Sequence, residues 1–404
     1  MSEWKETTLA ELCSDISYGY TESAKQEKVG PKFLRITDIA NGRLNWDSVP
    51  YCPITENNFK KYQLLPGDIV IARTGATTGA NYTIKENDPK EVVYASYLIR
   101  YQIDKNLADP FFIGQLLRSP SWSDYVDAIA GGSAQPGANA KQLGSFEISL
   151  PSLSEQHTIA SVLSSLDDKI DLLHRQNQTL EQMAETLFRE WFVEKADERW
   201  EKIMVSDYAE HSKVSIKSSV KPLVLFAHYS IPGFDAGKEP IFEIGQEIRS
   251  NKYQVLENTI LFSKLNPHKD KRVWLILENV PDNAICSTEF QVLKPNNEDH
   301  LYFLYGWLTN SINYRDISSG VGGTSGSHQR ISPNEIFSFF APKVPNEVLK
   351  NYSNRVKPIF KKQQINQTQI RTLTDLRDTL LPKLMSGEVR VEEHKNNKED
   401  DFKN

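Results

Sequence analysis

Cysteine is nearly absent from this 404-residue chain: Cys13, Cys52 and Cys286 stand far apart, never in a Cys-x-x-Cys spacing. That excludes a zinc ribbon or dithiol redox centre built on cysteine and reads as three buried or idle thiols. No apolar run approaches the roughly 20 residues needed to cross a bilayer. The start, Met1-Ser2-Glu3-Trp4-Lys5-Glu6, has neither the basic opening nor the apolar stretch of a secretory signal. The expectation is a cytoplasmic protein with no membrane partner. A surplus of positive charge is also missing, since 47 Lys and Arg face 53 Asp and Glu for a net charge of −6. Phosphate contacts from Lys and Arg usually dominate affinity for nucleic acid. A DNA-binding reading therefore needs its basic residues gathered on one face, or a partner that supplies much of the grip.

Catalytic machinery is missing as well. Enzymes that methylate bases place an Asn/Asp-Pro-Pro-aromatic tetrapeptide beside a nucleotide-type glycine loop; here there is only Asn266-Pro267-His268, and no G-x-G-x-x-G follows a strand. A Mg²⁺-dependent nuclease needs carboxylates plus a lysine, and Pro281-Asp282 is followed by Glu289-Phe290-Gln291 without one. Gly75-Ala76-Thr77-Thr78-Gly79 lacks the Gly-Lys-Ser/Thr ending that reaches nucleotide phosphates. The eight histidines are scattered with no ligand spacing. No catalytic residue, bound metal or cofactor is expected.

What is present is a chain written twice. Lys61-Tyr62-Gln63 recurs 191 positions later as Lys252-Tyr253-Gln254, and at the same offset Leu65 meets Leu256, Ile69 meets Ile260 and Arg73 meets Lys264. The register reads on without gaps through Ser96 and Ser287, Phe112 and Phe303, Leu117 and Leu308, Gly131-Gly132 and Gly322-Gly323, Phe146 and Phe337, to Pro151 and Pro342. Trp4 and Trp200 match if about five extra residues sit in the first copy, a normal loop difference. A fixed period of this kind signals a duplicated structural unit.

Each copy divides into a mixed part and a long helix. Asp68-Ile69-Val70-Ile71-Ala72 and Thr259-Ile260-Leu261-Phe262 read as strands between Pro, Gly and Asn punctuation. Helical stretches are expected near 110–118 and 301–310, making each mixed part an α/β unit. Ser152-x-x-Glu155 is a capping box. Beyond it Ile159, Leu163, Leu166, Ile170, Leu173, Asn177, Leu180, Ala184, Leu187 and Trp191 alternate spacings of four and three, as in a coiled coil. Tyr352, Val356, Ile359, Gln363, Asn366, Ile370, Leu373, Arg377, Leu380 and Leu384 repeat that rhythm, with Pro358 expected to bend the helix early. Two such helices can bury their stripes on each other. If they run antiparallel, Asn177 meets Gln363 and Asn366 and fixes the register; otherwise these polar positions face solvent or a partner. The charged stretch 389–404 is expected to be a disordered tail.

These features resemble the specificity (S) subunits of type I restriction-modification systems over essentially the whole chain. The run Leu64-Leu65-Pro66-Gly67-Asp68-Ile69-Val70-Ile71-Ala72-Arg73-Thr74-Gly75-Ala76-Thr77-Thr78-Gly79 is similar to that family's strand and glycine-rich loop. Leu150-Pro151-x-Leu153-x-Glu155-Gln156-x-x-Ile159-Ala160 is similar to the opening of its first helix, and Thr379-Leu380-Leu381-Pro382-Lys383-Leu384-Met385-Ser386-Gly387-Glu388 to the end of its second. The second copy departs from the pattern, with Ser263-Lys264-Leu265-Asn266-Pro267-His268 in place of the glycine-rich loop.

The resemblance implies an α/β (α+β) protein. Two pseudo-two-fold-related target-recognition domains, 1–151 and 197–343, would be joined by two long antiparallel coiled-coil helices, 152–196 and 344–388. It implies a non-catalytic subunit that recognises a split, asymmetric site in double-stranded DNA, one half-site per domain. Partners would be two methyltransferase (M) subunits and the restriction/translocase (R) subunits. S-adenosylmethionine, ATP and Mg²⁺ would belong to those partners, and the whole complex would be a site-specific deoxyribonuclease and adenine-N6 DNA methyltransferase.

Polar loops at matching places in the two copies are the candidate DNA contacts. They are Arg73, Thr74, Thr77, Thr78, Ser133, Gln135 and Asn139 in the first, and Lys264, His268, Lys269, Thr324, Ser325, His328, Gln329 and Arg330 in the second. Side chains of these types meet base edges and phosphates, although glycine-rich polar loops are often plain solvent turns. The alternative is a coiled-coil scaffold whose globular domains bind protein without direct base readout.

Overall fold

The computed structural model describes residues 4–40, 44–131, 137–267, 271–319, 331–332 and 335–391. The chain forms two compact units, one of residues 1–172 with 369–404, the other of residues 173–368. It is a mixed α/β protein whose two globular domains are joined by two long antiparallel helices.

In the first unit a four-stranded antiparallel sheet has the order Cys13–Tyr18, Leu98–Ile103, Asp68–Ala72, Asn81–Thr83. Every residue of Asp68–Ala72 is buried, because successive side chains point to opposite faces and both faces are covered. Ile69 and Ile71 pack with Phe112, Ile113 and Trp122; Val70 and Ala72 pack with Leu34, Val92 and Tyr94. The helices Pro110–Leu116 and Pro120–Ala130 start where Asp109 and Ser119 accept from backbone N–H groups, each followed by a proline at the first turn. Lys32–Leu34 pairs parallel with Val92–Tyr94, and Lys5–Thr8 pairs antiparallel with Glu147–Leu150.

The second unit repeats this plan. Its four-stranded sheet has the order Ala209–Ser212, Phe290–Pro295, Thr259–Ser263, Val273–Ile276. The parallel pair recurs as Leu225–Tyr229 with Ala284–Cys286, here extended to five strands by Ile241–Ile244 on one side and Lys252–Gln254 and Ser215–Ile216 on the other. Ile260 and Phe262 again enter one core and Leu261 the other.

Equivalent hydrogen bonds correct the ungapped register. Leu98 N–H donates to Ala95 O where Phe290 N–H donates to Ser287 O, so Ser287 occupies the place of Ala95 and not of Ser96. The offset returns to 191 at Ser119 and Asn310, which cap equivalent helices. It widens again by the bonds from Leu9 N–H to Phe146 O and from Val205 N–H to Phe339 O, so Phe339, not Phe337, answers Phe146. A slip within a strand would turn every apolar side chain to the wrong face, so insertions collect in the connections.

The long helices span Leu153–Arg189, ending in a π-helical turn at Glu190–Glu194, and Asn346–Met385. The Ser152 hydroxyl accepts from Glu155 N–H at the first start, and the second helix continues through Pro358, which is exposed. In the second unit Asn366 Nδ2 donates to Asn177 Oδ1 at 2.9 Å and Gln363 Nε2 donates to the Asn177 carbonyl at 3.0 Å. Phe188 meets Tyr352 further along, so the helices run antiparallel there, and a polar layer fixes their register.

Each domain sits on helix segments from both repeats. In the first unit Ile159 and Leu163 of one helix and Leu381 and Leu384 of the other join the sheet core. In the second, Ala184, Phe188 and Phe192 join Tyr352, Val356 and Phe360. The chemistry of the two seats differs. In the first, Asp167 accepts from Arg118 at 2.9 Å, Arg377 at 3.0 Å and Gln115 at 2.8 Å. The positions matching Asp167 and Gln115 in the second are Phe360, which packs on Tyr302 and Tyr305, and Gly306, against which Phe188 lies.

Burial alone would raise the Asp167 carboxyl, but Arg118, Gln115 and Arg377 together hold it below its ordinary value of 3.8. A carboxyl lowered by folding adds stability above the unfolded value and loses it as pH falls through the folded one. Asp167→Asn, which leaves two guanidinium groups short of a partner, is expected to destabilise the protein by about 2–3 kcal/mol at neutral pH. Urea unfolding should show the gap between variant and wild type closing as pH falls below about 4; a gap constant with pH would rule out this role for Asp167.

Candidate nucleic-acid interface

The strand Asp68–Ala72 turns back into Asn81–Thr83 through the loop 73–80, where Gly75 and Gly79 adopt φ of 83° and 88°. A Cβ on Gly79 would lie 2.8 Å from Val126, so this turn needs glycine for space as well as for φ. The Thr78 hydroxyl donates to Gly75 O at 2.7 Å and shapes the turn, while Ala76 at its tip is exposed.

Two loops separated by some sixty residues of sequence meet here. Thr74 pairs with Gly137, and Ala138 N–H donates to Arg73 O at 2.9 Å. Arg73, Thr74, Thr77, Thr78 and Asn139 are thereby gathered at one edge of the domain. Asn139 uses its side-chain oxygen locally: its Oδ1 accepts from Gln142 N–H while Gln142 Oε1 accepts from Asn139 backbone N–H, a capping box for the helix Ala140–Gly144. Ser133 and Gln135 lie outside the described residues.

Arg73 has neighbours that the sequence did not reveal. Its Nε donates to Ser96 O at 3.1 Å, and its guanidinium lies 5.2 Å from the Tyr18 ring centre and 5.8 Å from that of Tyr97. Both rings are exposed, Tyr18 by 44% and Tyr97 by 57%. Gly19 allows this approach, since a Cβ there would lie 2.3 Å from Ala95 O. Large exposed aromatics beside a cation are the side chains that stack on bases.

The second unit builds the same backbone frame around a different head group. Lys264 N–H donates to Glu289 O as Arg73 N–H does to Tyr97 O, and Lys264 O accepts from Ile331 N–H as Arg73 O does from Ala138 N–H. Glu289 thus replaces Tyr97. By ladder register Lys213, one residue beyond Ser212, which pairs with Val292, replaces Tyr18, which pairs with Ile99. Burial, then the charges of Lys213 and Lys264, push His211 below its ordinary value. His268, Lys269, Thr324, Ser325, His328, Gln329 and Arg330 lie outside the described residues.

The thiols are set apart from both loops by their chemistry. Burial raises Cys13 to about 12, Cys52 to about 11 and Cys286 to about 12, leaving all three protonated at neutral pH. Among the described residues no helix is long and apolar enough to cross a membrane.

Residues 1–182 match the family model described as the type I restriction modification DNA specificity domain. Over 355 residues the chain is 28% identical to the type I restriction enzyme MjaIX specificity subunit of Methanocaldococcus jannaschii, covering 81% of this chain and 76% of that protein. Over 469 residues it is 24% identical to the HindI specificity subunit of Haemophilus influenzae, covering 96% and 100%. The solved structure of a type I restriction-modification S subunit from M. genitalium shares the fold, with a TM-score of 0.59 at 16% identity over 94% of this chain and 96% of that one.

The capping box at Asn139 separates a folding role from a reading role. Asn139→Ala should lower stability by about 1 kcal/mol, and Asn139→Ser should keep most of it. Thermal melting of the two variants checks this; equal melting temperatures for Ala and wild type would mean that the cap does not hold the loop.

Proposed function

This chain belongs to the specificity subunits of type I restriction-modification systems, and we propose that it reads a bipartite, asymmetric site in double-stranded DNA, each globular domain taking one half. The observation that carries this reading is the pair of equivalent loops, with Arg73 in the first unit and Lys264 in the second on the same backbone frame. Duplicated frames suit a two-part site, as the halves of a dimeric DNA-binding protein do. Different head groups on those frames suit halves that differ in sequence. Ser133, Gln135, Thr324, Ser325, His328, Gln329 and Arg330 would add polar contacts.

The subunit itself catalyses nothing in this account. Methyl transfer at adenine N6, ATP-driven translocation and DNA cleavage would belong to M and R subunits in the cytoplasm, together with S-adenosylmethionine, ATP and Mg²⁺. Two copies of M are supported by a repeat on the helices. Leu172 and Met183 are 40% and 49% exposed, and Ile365 and Leu376, each 193 positions later, are 52% and 44% exposed. Within each helix the two are eleven residues apart, close to three full turns, so they share a side. Exposed apolar positions repeated in this way suit the same partner bound twice. The net charge of −6 fits a reader held on DNA by such partners.

The test is methylome sequencing of cells that express the chain with its methyltransferase partner. The complex should methylate adenine in one split site, and the isolated chain should methylate nothing. Replacing residues 197–343 by the corresponding domain of another specificity subunit should change one half of the site and leave the other. A change in both halves at once would contradict one domain per half-site, and an unchanged site would favour a scaffold that does not read bases.

A further inference from the structure

The two equivalent loops differ in a way that bears on which base is read. Arginine has five N–H donors in a rigid plane, and its side is as able to donate as its end. In Arg73 the side is taken, because Nε is pinned to Ser96 O at 3.1 Å. The rings of Tyr18 and Tyr97 lie 5.2 Å and 5.8 Å from the guanidinium carbon. Its two terminal nitrogens have no partner among the described residues, so what remains is an end-on fork of parallel donors, fixed in direction before any ligand arrives.

Two acceptors side by side would satisfy that fork. Among base edges in the major groove only guanine offers them, as O6 and N7; adenine puts a donor amino group next to N7 and would leave one N–H facing another. A phosphate also offers two oxygens. Two observations favour the base. The chain has no surplus of positive charge of the kind that backbone grip relies on. Tyr18 and Tyr97, both exposed and close to the fork, offer aromatic surface to neighbouring base edges or a thymine methyl.

We propose that Arg73 reads a guanine in the half-site of the first domain, donating from its two terminal nitrogens to O6 and N7, with Tyr18 and Tyr97 as positioning residues. This rests on the DNA-reading function proposed above. The second domain makes no equivalent contact at this position. Lys264 is a point charge without a fork, and Glu289 and Lys213 stand where the tyrosines stand in the first.

The experiment compares wild type, R73K, R73Q, Y97A and Y97F, each co-expressed with the methyltransferase partner, by methylome sequencing, with thermal melting of the purified complexes as a check on folding. The domain exchange described above assigns each half-site to its domain. The half-site of the first domain should contain an invariant G·C pair. R73K keeps the charge but loses the fork, so methylation at that site should fall about tenfold or more, with other bases admitted at that one pair and the other half-site unchanged. R73Q should behave at least as severely. Y97F should match wild type, and Y97A should lower the methylation rate without changing the sequence. Full activity of R73K on an unchanged site would mean a phosphate contact and overturn the proposal, as would a first half-site without any G·C pair. If the domain exchange alters a half-site while R73K and R73Q do not, Arg73 is misassigned but the DNA-reading function stands. If the exchange alters nothing, that function itself fails.

Discussion

The structure depends on the antiparallel packing of two long helices, because neither globular domain completes its core without both. The sheet of the first domain closes over Ile159 and Leu163 from one helix and over Leu381 and Leu384 from the far end of the other. Residues more than two hundred positions apart must therefore come together before the domain is whole, and the first unit is discontinuous in sequence for that reason. The Asn177, Gln363 and Asn366 layer adds register to this packing. Asn366 is fully buried, and any sliding of one helix past the other would leave its amide against apolar side chains.

Duplication gives two seats for two domains, and each seat carries its own chemistry. The charged cluster of Asp167, Arg118 and Arg377 in the first unit stands where aromatic packing around Phe360 stands in the second. A domain docked on the wrong seat would bury Asp167 without Arg118 and Gln115, or Phe360 without Tyr302 and Tyr305, and burying a charge short of its partners is costly. The same divergence marks the loop edges, where the first unit has Arg73 near Tyr18 and Tyr97 and the second has Lys264 on the equivalent frame with Glu289 in the place of Tyr97. Common backbone frames with separate side-chain sets would suit the asymmetric site proposed for this chain.

Much of this was legible in the sequence because it is periodic. The heptad stripes and the strand runs at Asp68–Ala72 and Thr259–Phe262 follow from spacing and polarity, while the meeting of Asn177 with Gln363 and Asn366 is one of two readings, decided by the antiparallel packing. What was not legible is where the repeat slips. Ser96 and Ser287 look like partners at a constant offset, yet the strands place Ser287 with Ala95, since hydrogen bonding and burial set strand register and an insertion of one residue in a loop leaves no mark on composition. Tyr18 and Tyr97 were missed for a related reason. They lie 55 and 24 residues from Arg73 along the chain and reach it only through the sheet. Exposed tyrosines next to turns, in Tyr18-Gly19-Tyr20 and Ser96-Tyr97, were the available signal. Asn139 shows a second role that its type did not announce: its Oδ1 accepts as a helix cap.

The central claim is that the two units read different halves of one DNA site. Site-specific photo-crosslinking in the assembled complex tests it most directly, with a photoreactive residue at Ala76, the exposed tip of the first loop, or at Lys264 in the second. The account predicts that position 76 crosslinks only to one half-site of a duplex carrying the recognised sequence and position 264 only to the other. Crosslinking of both positions to the same half, or of neither to DNA, would contradict it.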